Sequence, residues 1–108
     1  MIIGIGLDLA EVERYDFDAA AYAWFSRKIY TSEEIAYASR KRNRSERLAG
    51  FFAAKEATRK AFGYAIPWRQ IGVSHEASGK PIIKLFGKAS ELIARRRVTS
   101  IHLTITHT

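Results

Sequence analysis

Short apolar or alternating runs along this chain predict β-strands at both of its ends. The Ile-rich run over residues 1–9 indicates a buried strand, in which Gly4 and Gly6 would let another backbone approach closely. Residues 99–108 alternate strictly, so Ile101 and its apolar neighbours fall on one face and polar side chains on the other. This alternation predicts a strand with one buried face.

Two further strands are predicted in the second half of the chain. They cover residues 71–75 and 81–86 and are separated by five residues that include Gly79. Such a short, glycine-containing connection favours a hairpin, and therefore an antiparallel pair.

The remaining segments have helical patterns. An Ala-rich stretch lies between residues 11 and 27, and Thr31-Ser-Glu-Glu34 has the form of a capping box that begins a second, short helix. Residues 88–97 form a small amphipathic pattern. The longest pattern runs from a capping box at Asn43-Arg-Ser-Glu46 to about residue 62.

Gly63 follows this long pattern and is expected to end its helix in the left-handed conformation. The resulting order, β-α-α-α-β-β-α-β, indicates the α+β class, with a small, mostly antiparallel sheet packed against the long central helix. The length and the absence of a linker or repeat predict a single small domain over residues 1–108.

Charge changes the picture because it is unevenly distributed. The chain of 108 residues has a net charge of +7, but residues 1–38 carry seven acidic and three basic side chains. Residues 39–69 carry nine basic and two acidic side chains, which makes this segment the candidate for binding an anion.

Composition excludes several classes of protein. Without cysteine there is no disulfide framework, Cys-ligated metal or cysteine nucleophile. No apolar run approaches the roughly 20 residues that span a bilayer, so we expect a cytoplasmic protein without a membrane partner. Three scattered histidines make a zinc site an unfavoured interpretation.

Three side chains could carry chemistry. Asp8 stands at the end of the first predicted strand, where it either caps a turn or serves a site. Glu56 and Lys60 lie four residues apart on one helical face with Phe52, and form either a surface ion pair or part of a partly buried site. Two carboxylates from separate elements suit Mg²⁺, and a nearby ammonium would complete a cradle for a diphosphate.

The basic run from Arg40 to Arg47 has two further interpretations. It is either a solvated connection between helices or a surface for phosphate or RNA. A small basic nucleic-acid-binding module is therefore the alternative function, although it does not account for the paired carboxylates, and no RNA-binding motif is evident.

Four motifs together resemble the 4′-phosphopantetheinyl transferases, specifically the small holo-acyl-carrier-protein synthase type. They are Ile3-Gly-Ile-Gly-Leu-Asp8, Phe52-Ala-Ala-Lys-Glu-Ala-Thr-Arg-Lys60, Gly79-Lys-Pro81 and Ile105-Thr-His-Thr108. The order and spacing of these motifs match over nearly the whole chain, and the second motif is the most specific.

The resemblance implies a catalytic group of Asp8, Glu56 and Lys60. Asp8 and Glu56 would bind Mg²⁺, and Lys60 would neutralise charge on the transferred phosphate. A serine of apo acyl carrier protein would attack the β-phosphate of coenzyme A, and adenosine 3′,5′-bisphosphate would leave. The proton would pass to Glu56 or to a metal-bound water.

The resemblance also implies a coenzyme A site and a biological setting. Arg42, Arg44, Lys80, Pro81 and His107, together with Lys60, would line the coenzyme A site. The family type implies a homotrimer with active sites between subunits, a role in fatty acid biosynthesis and no nucleic-acid partner.

The chain departs from the family pattern at Phe51, where many members carry a basic residue. One phosphate contact would then be missing, or would be supplied by Arg47. A catalytically impaired homologue that only binds a carrier protein is a third interpretation.

Overall fold

Four α-helices and a two-stranded sheet form the regular structure in the computed structural model, which describes residues 4–63 and 65–105. The helices and strands follow one another as α1 (Ala19–Lys28), α2 (Ser32–Ser39), α3 (Arg44–Phe62), β1 (Ile71–His75), β2 (Pro81–Leu85) and α4 (Lys88–Arg96). Short 3-10 helices precede α1 (Val12–Tyr15) and β1 (Trp68–Gln70). The expected α+β class is confirmed.

The hairpin prediction is also confirmed. Strands β1 and β2 pair antiparallel, with Val73 opposite Ile83 and His75 opposite Pro81. The connecting loop turns at Gly79, whose φ of 92° is a conformation that favours glycine.

Local sequence signals account for most helix ends. The Thr31 side chain accepts a hydrogen bond from the Glu34 backbone, and the Glu34 carboxylate accepts one from the Thr31 N–H, so the predicted capping box is present. Gly63 ends α3 with a φ of 72°. The predicted box at Asn43 is wrong, because Asn43 makes no cap contact with the helix backbone and bonds the side chains of Glu46 and Arg47 instead.

The helix expected from the alanine-rich stretch is confirmed as α1. The earlier part of the segment of residues 11–27, Val12–Tyr15, forms a separate 3-10 helix. Helix α1 starts only after Asp18, whose carboxylate accepts a hydrogen bond from the Ala21 N–H at 2.8 Å. An aspartate in this position satisfies one of the free N–H groups of a helix start.

Helix α3 lies at the centre of the core. Leu48, Phe51 and Ala54 are buried on one side of it, and the hydroxyl of the buried Tyr30 donates to the Leu48 carbonyl at 2.8 Å. A second apolar cluster, around Phe62, packs the end of α3 against β1 and α4. The sheet and three other helices are thus organised by one helix.

An ion pair is buried within this core. The Lys55 ammonium lies 2.9 Å from the Glu34 carboxylate, and neither side chain is exposed. Lys55 also donates to the carbonyls of Trp68 and Ile71, and Glu34 accepts from the Val73 N–H at 2.7 Å. The pair therefore joins α2, α3 and β1 with its polar atoms satisfied.

The two terminal strand predictions are wrong over the described residues, because residues 4–10 and 99–105 belong to no hydrogen-bonded ladder. Ile5, Leu7 and Leu9 are 78%, 79% and 92% exposed, so Asp8 does not end a buried strand. Alternation is nevertheless kept at the C-terminal end, where the apolar side chains are half-buried and the polar ones exposed. No helix in the described part of the chain is long and apolar enough to cross a membrane.

Candidate functional site

The N-terminal segment lies directly on helix α3. A Cβ atom added to Gly6 would lie 1.7 Å from the Ala57 carbonyl oxygen, and one added to Gly4 would lie 2.2 Å from that of Ala61. The expected close approach is therefore confirmed, but the neighbouring backbone belongs to a helix. Two extended residues advance about 6.6 Å and four helical residues about 6 Å, so the two segments stay in step.

This approach places Asp8 beside Lys60. The Lys60 ammonium donates to Oδ1 of Asp8 at 2.8 Å and to the Leu7 carbonyl at 3.1 Å. The hydrogen bond to Asp8, together with the negative charges of Asp8 and Glu56, raises the pKa of Lys60 although desolvation opposes the effect. Lys60 is therefore a protonated donor at neutral pH.

Glu56 has a different partner from the one that its spacing suggested. Its Oε1 lies 3.4 Å from an Nη of Arg59, and this is an i,i+3 contact. The interpretation of Glu56 and Lys60 as a simple surface pair is wrong, because Lys60 turns to Asp8. Each carboxylate therefore has its own cation from α3.

Tyr15 completes the cluster. Burial is the main reason that its pKa is raised, and the charges of Asp8 and Glu56 add to the effect, while Arg14 opposes it. Both carboxylates are thus close enough to act on one phenol. Sequence reasoning missed Tyr15, since nothing in the local pattern connects it with residues 41 positions later.

Aromatic rings contact one another and Arg59, the partner of Glu56. Phe52, one turn before Glu56, stacks on Trp68 with ring centroids 5.1 Å apart and also contacts the Tyr15 ring at 5.8 Å. The Arg59 guanidinium lies over the Trp68 ring, 4.0 Å from its centroid. The i,i+3 spacing of Glu56 and Arg59 was a signal for their contact, but the position of Trp68 was not apparent from the sequence.

The carboxylates of Asp8 and Glu56 fit a hard cation that takes most of its ligands from water or substrate. The described residues contain no group of three or more His, Asp or Glu side chains suited to hold a metal. Asp8 and Glu56 offer two carboxylates, and Mg²⁺ is commonly held by one or two carboxylates together with water and substrate phosphates. These residues therefore fit Mg²⁺ and not a closed structural metal site.

A cleft of about 670 Å³ adjoins the cluster. It lies between the N-terminal segment, the Ala53–Phe62 part of α3 and residues 97–105, and Asp8 forms part of its wall. A small substrate could therefore enter between the two terminal segments and reach the carboxylate.

The other predicted site residues lie apart from this cluster or outside the described residues. Arg42 and Arg44 line a second cleft at the connection of α2 and α3, and the Arg44 guanidinium lies 4.4 Å from the Tyr22 ring centroid. Lys80 is exposed in the hairpin loop, Pro81 begins β2, and His107 is outside the described residues. In the described part of the chain, no hydrogen bond or ion pair joins Asp8 or Glu56 to any of these basic residues or to Pro81.

Phe51 is part of the core. It is 2% exposed and its ring lies 5.9 Å from Tyr37 and 5.8 Å from His75. His75 stacks in parallel on Tyr37 with ring centroids 3.8 Å apart, and Arg47 lies over the same tyrosine ring. Phe51 thus packs beneath the Tyr37 ring, on which Arg47 lies, and its own apolar side chain offers no contact to a phosphate.

Comparison with known proteins gives a consistent result. Residues 4–106 match the family model of the 4′-phosphopantetheinyl transferase superfamily. A holo-[acyl-carrier-protein] synthase of Solibacter usitatus is 43% identical over 113 residues, covering 100% of this chain and 90% of the relative. A second synthase, from Thermoanaerobacter sp., is 35% identical and covers 100% of this chain and 80% of the relative.

Solved structures are similar as well. The holo-ACP-synthase of Plasmodium yoelii matches with a TM-score of 0.81 and 28% identity, over 100% of this chain and 87% of that one. The Helicobacter pylori holo-[acyl-carrier-protein] synthase in complex with coenzyme A matches with a TM-score of 0.80 and 27% identity, over 96% and 90% of the two chains.

Proposed function

The chain belongs to the 4′-phosphopantetheinyl transferase superfamily and is a phosphopantetheinyl transferase, and from this premise we propose that it is a holo-acyl-carrier-protein synthase. In this proposal it transfers 4′-phosphopantetheine from coenzyme A to a serine of apo acyl carrier protein, in fatty acid biosynthesis. The observation that carries the proposal is the 2.8 Å contact of Lys60 with Asp8, which lines an open cleft, together with the negative charge of Glu56, which helps to raise the pKa of Lys60. Two carboxylates and an ammonium suit a diphosphate substrate.

Asp8 and Glu56 would hold Mg²⁺, which supplies charge neutralisation at the diphosphate. Lys60 would exchange its bond with Asp8 for one with a phosphate oxygen, which it can do because its side chain is 53% exposed. In the transfer, the serine hydroxyl gives its proton to Glu56 or to a water, its oxygen forms a bond to the β-phosphorus, and the bond from this phosphorus to the bridging oxygen breaks. The bridging oxygen leaves on adenosine 3′,5′-bisphosphate.

We propose coenzyme A as the substrate, with Arg42, Arg44, Lys80, Pro81 and His107 as its further binding residues. Two observations support this choice. The Helicobacter pylori neighbour was solved in complex with coenzyme A, and the basic segment of residues 39–69 provides an excess of cations for an anionic ligand. In this proposal the cationic side chains bind the nucleotide part of coenzyme A and not a nucleic acid.

We further propose that residues 1–108 act as one domain within a cytoplasmic homotrimer whose active sites lie between subunits. The support is the exposed apolar row formed by Ile5, Leu7 and Leu9, which lies next to Asp8 in sequence. Apolar side chains in such a row are expected to be covered by another surface. A neighbouring subunit there would also enclose the cleft.

The test is the transfer reaction itself. The protein is incubated with apo acyl carrier protein, coenzyme A and Mg²⁺, and mass spectrometry follows the gain of one phosphopantetheine group. We expect Asp8→Ala and Glu56→Ala to slow the transfer on the order of 100-fold, as removal of one charge-stabilising group typically does. Glu91→Ala, which removes an exposed carboxylate on α4 away from both clefts, is the matched control.

The proposed function is wrong if the parent protein transfers nothing to any apo carrier protein. The assignment of the site is wrong if the folded Asp8 and Glu56 variants react as fast as the Glu91 control. Binding to RNA that weakens with salt and is unaffected by coenzyme A would favour the nucleic-acid alternative.

A further inference from the structure

We infer that Arg59 is a positioning residue, which Trp68 holds in place so that the Glu56 carboxylate is aimed at the bound cation. The inference rests on the proposed function, because it takes Glu56 as a metal ligand. It concerns a residue that does not touch substrate and acts through Glu56 alone.

The first step of the argument is the contact between Arg59 and Glu56. Arg59 Nη reaches only Oε1 of the carboxylate, at 3.4 Å, and this leaves Oε2 available for a cation. Both side chains are partly buried, with 24% and 28% exposure. Polar groups that bond the second oxygen or nitrogen of a metal ligand orient that ligand and raise its affinity for the metal.

The second step is that Arg59 is itself restrained. Its guanidinium lies 4.0 Å from the centroid of the Trp68 ring, within the range of a favourable cation–π contact. Trp68 in turn stacks on Phe52, with an angle of 26° between the ring planes. A planar guanidinium stacked on an indole has few alternative positions, so its contact with Glu56 has a fixed direction.

The third step connects this arrangement with the core. The Trp68 carbonyl accepts a hydrogen bond from the Lys55 ammonium at 3.1 Å, and Lys55 is paired with the buried Glu34. Lys55 and Glu56 are neighbours on α3, so the same turn of helix carries the buried anchor and the site carboxylate. The 3-10 helix that begins at Trp68 is thereby fixed relative to Glu56.

Charge alone predicts the opposite of a positioning role. A guanidinium near a metal site repels the metal, so its removal should tighten metal binding if electrostatics were the main effect. Positioning predicts that removal weakens binding, because the Glu56 carboxylate then rotates freely. The sign of the change therefore distinguishes the two effects.

The experiment is a calorimetric titration of the intact protein with Mg²⁺ alone, without coenzyme A. We expect Arg59→Ala to weaken Mg²⁺ binding about tenfold, at the lower end of the range for residues that orient metal ligands. Arg59→Lys keeps the charge and is expected to recover part of the affinity. Trp68→Leu is expected to lower the affinity although Arg59 remains.

Arg69→Ala is the matched control, since it removes the same charge next to Trp68 from an exposed residue that makes no ion pair with Glu56. We expect this variant to bind Mg²⁺ within twofold of the parent. Thermal unfolding of each variant is measured in parallel, and a midpoint within about 4 °C of the parent separates positioning from loss of fold.

Equal or tighter Mg²⁺ binding by Arg59→Ala would overturn the inference, as would equal weakening in Arg69→Ala. These results would leave the proposed function intact if Asp8→Ala still abolished Mg²⁺ binding. A parent protein that binds no Mg²⁺ would overturn both the metal site and the role of Arg59.

Discussion

The ammonium nitrogen of Lys60 lies 2.8 Å from Oδ1 of Asp8, a residue 52 positions earlier in the chain. The contact joins the last turn of α3 to an N-terminal segment that belongs to no sheet in the described structure. It also means that Asp8 already has a cation partner before any ligand binds. A substrate phosphate would therefore compete with Asp8 for one ammonium.

The positive charge of Lys60 should matter for transfer. We expect Lys60→Gln to reduce kcat on the order of 100-fold, because the ammonium that neutralises charge on the transferred phosphate is lost. Lys60→Arg should recover part of the rate. Transfer to apo acyl carrier protein measures both variants, and an exposed Lys88→Gln variant is the control. A Lys60→Gln enzyme as fast as the Lys88 variant would contradict this role.

Gly6 should be required for the position of Asp8. A methyl group at Gly6 would lie 1.7 Å from the Ala57 carbonyl oxygen, so Gly6→Ala must displace the N-terminal segment from α3. We expect at least a tenfold loss of transfer activity, as small displacements of positioned groups commonly cause. Circular dichroism should show that the helices are retained.

Gly63→Ala is the control for this change. Gly63 has a positive φ of 72° but open space around its Cβ position, so alanine adds strain without a clash. We expect Gly63→Ala to cost about 1 kcal/mol of stability while the activity of the folded protein is kept. If both variants lost activity equally, the argument from close packing at Gly6 would fail.

The buried pair of Lys55 and Glu34 should be costly to break from one side. Lys55→Met leaves the Glu34 carboxylate fully buried without its cation, and we expect a loss of about 3–5 kcal/mol in the free energy of unfolding. Urea denaturation at pH 7 measures this loss.

A double variant, Glu34→Gln with Lys55→Met, removes both charges. We expect it to recover at least half of the lost stability, since no unpaired buried charge remains. A single Lys55→Met variant within 1 kcal/mol of the parent would show that the pair is not the desolvated ion pair described above.

The His75 stack should make stability depend on pH. Burial, helped by the positive charges of Arg47 and Lys41 and opposed by Glu33, lowers the pKa of His75 below its ordinary value of 6.5. The unfolded chain then binds the proton more strongly than the folded one. The contribution of His75 to the free energy of unfolding is therefore fully present above about pH 6.5, and it is lost as the pH falls through the pKa of His75 in the folded state.

Urea denaturation between pH 5 and pH 7.5 tests this expectation. His75→Phe keeps an aromatic ring against Tyr37 and should make the acid side of the profile flatter. His102→Asn, which removes a histidine from the exposed C-terminal segment, is the control variant. Identical profiles for the parent and His75→Phe would contradict the assignment.

Sequence alone determined the features that depend on neighbours along the chain. The capping box at Thr31, the left-handed end of α3 at Gly63 and the hairpin around Gly79 were all predicted and confirmed. Each depends on hydrogen bonds or backbone angles within about five residues. The motifs of the family were also present in the sequence, and they indicated Asp8, Glu56 and Lys60 as one site.

Only the tertiary structure decided how those residues are paired. Spacing suggested that Glu56 meets Lys60, but the close approach of Gly4 and Gly6 to α3 brings Asp8 to Lys60 and leaves Glu56 with Arg59. The predictions of the two terminal strands were wrong for a related reason. An alternating pattern indicates which side chains share a face, whereas a ladder also needs a partner strand, and the chain's own fold provides none for residues 4–10 in the described structure.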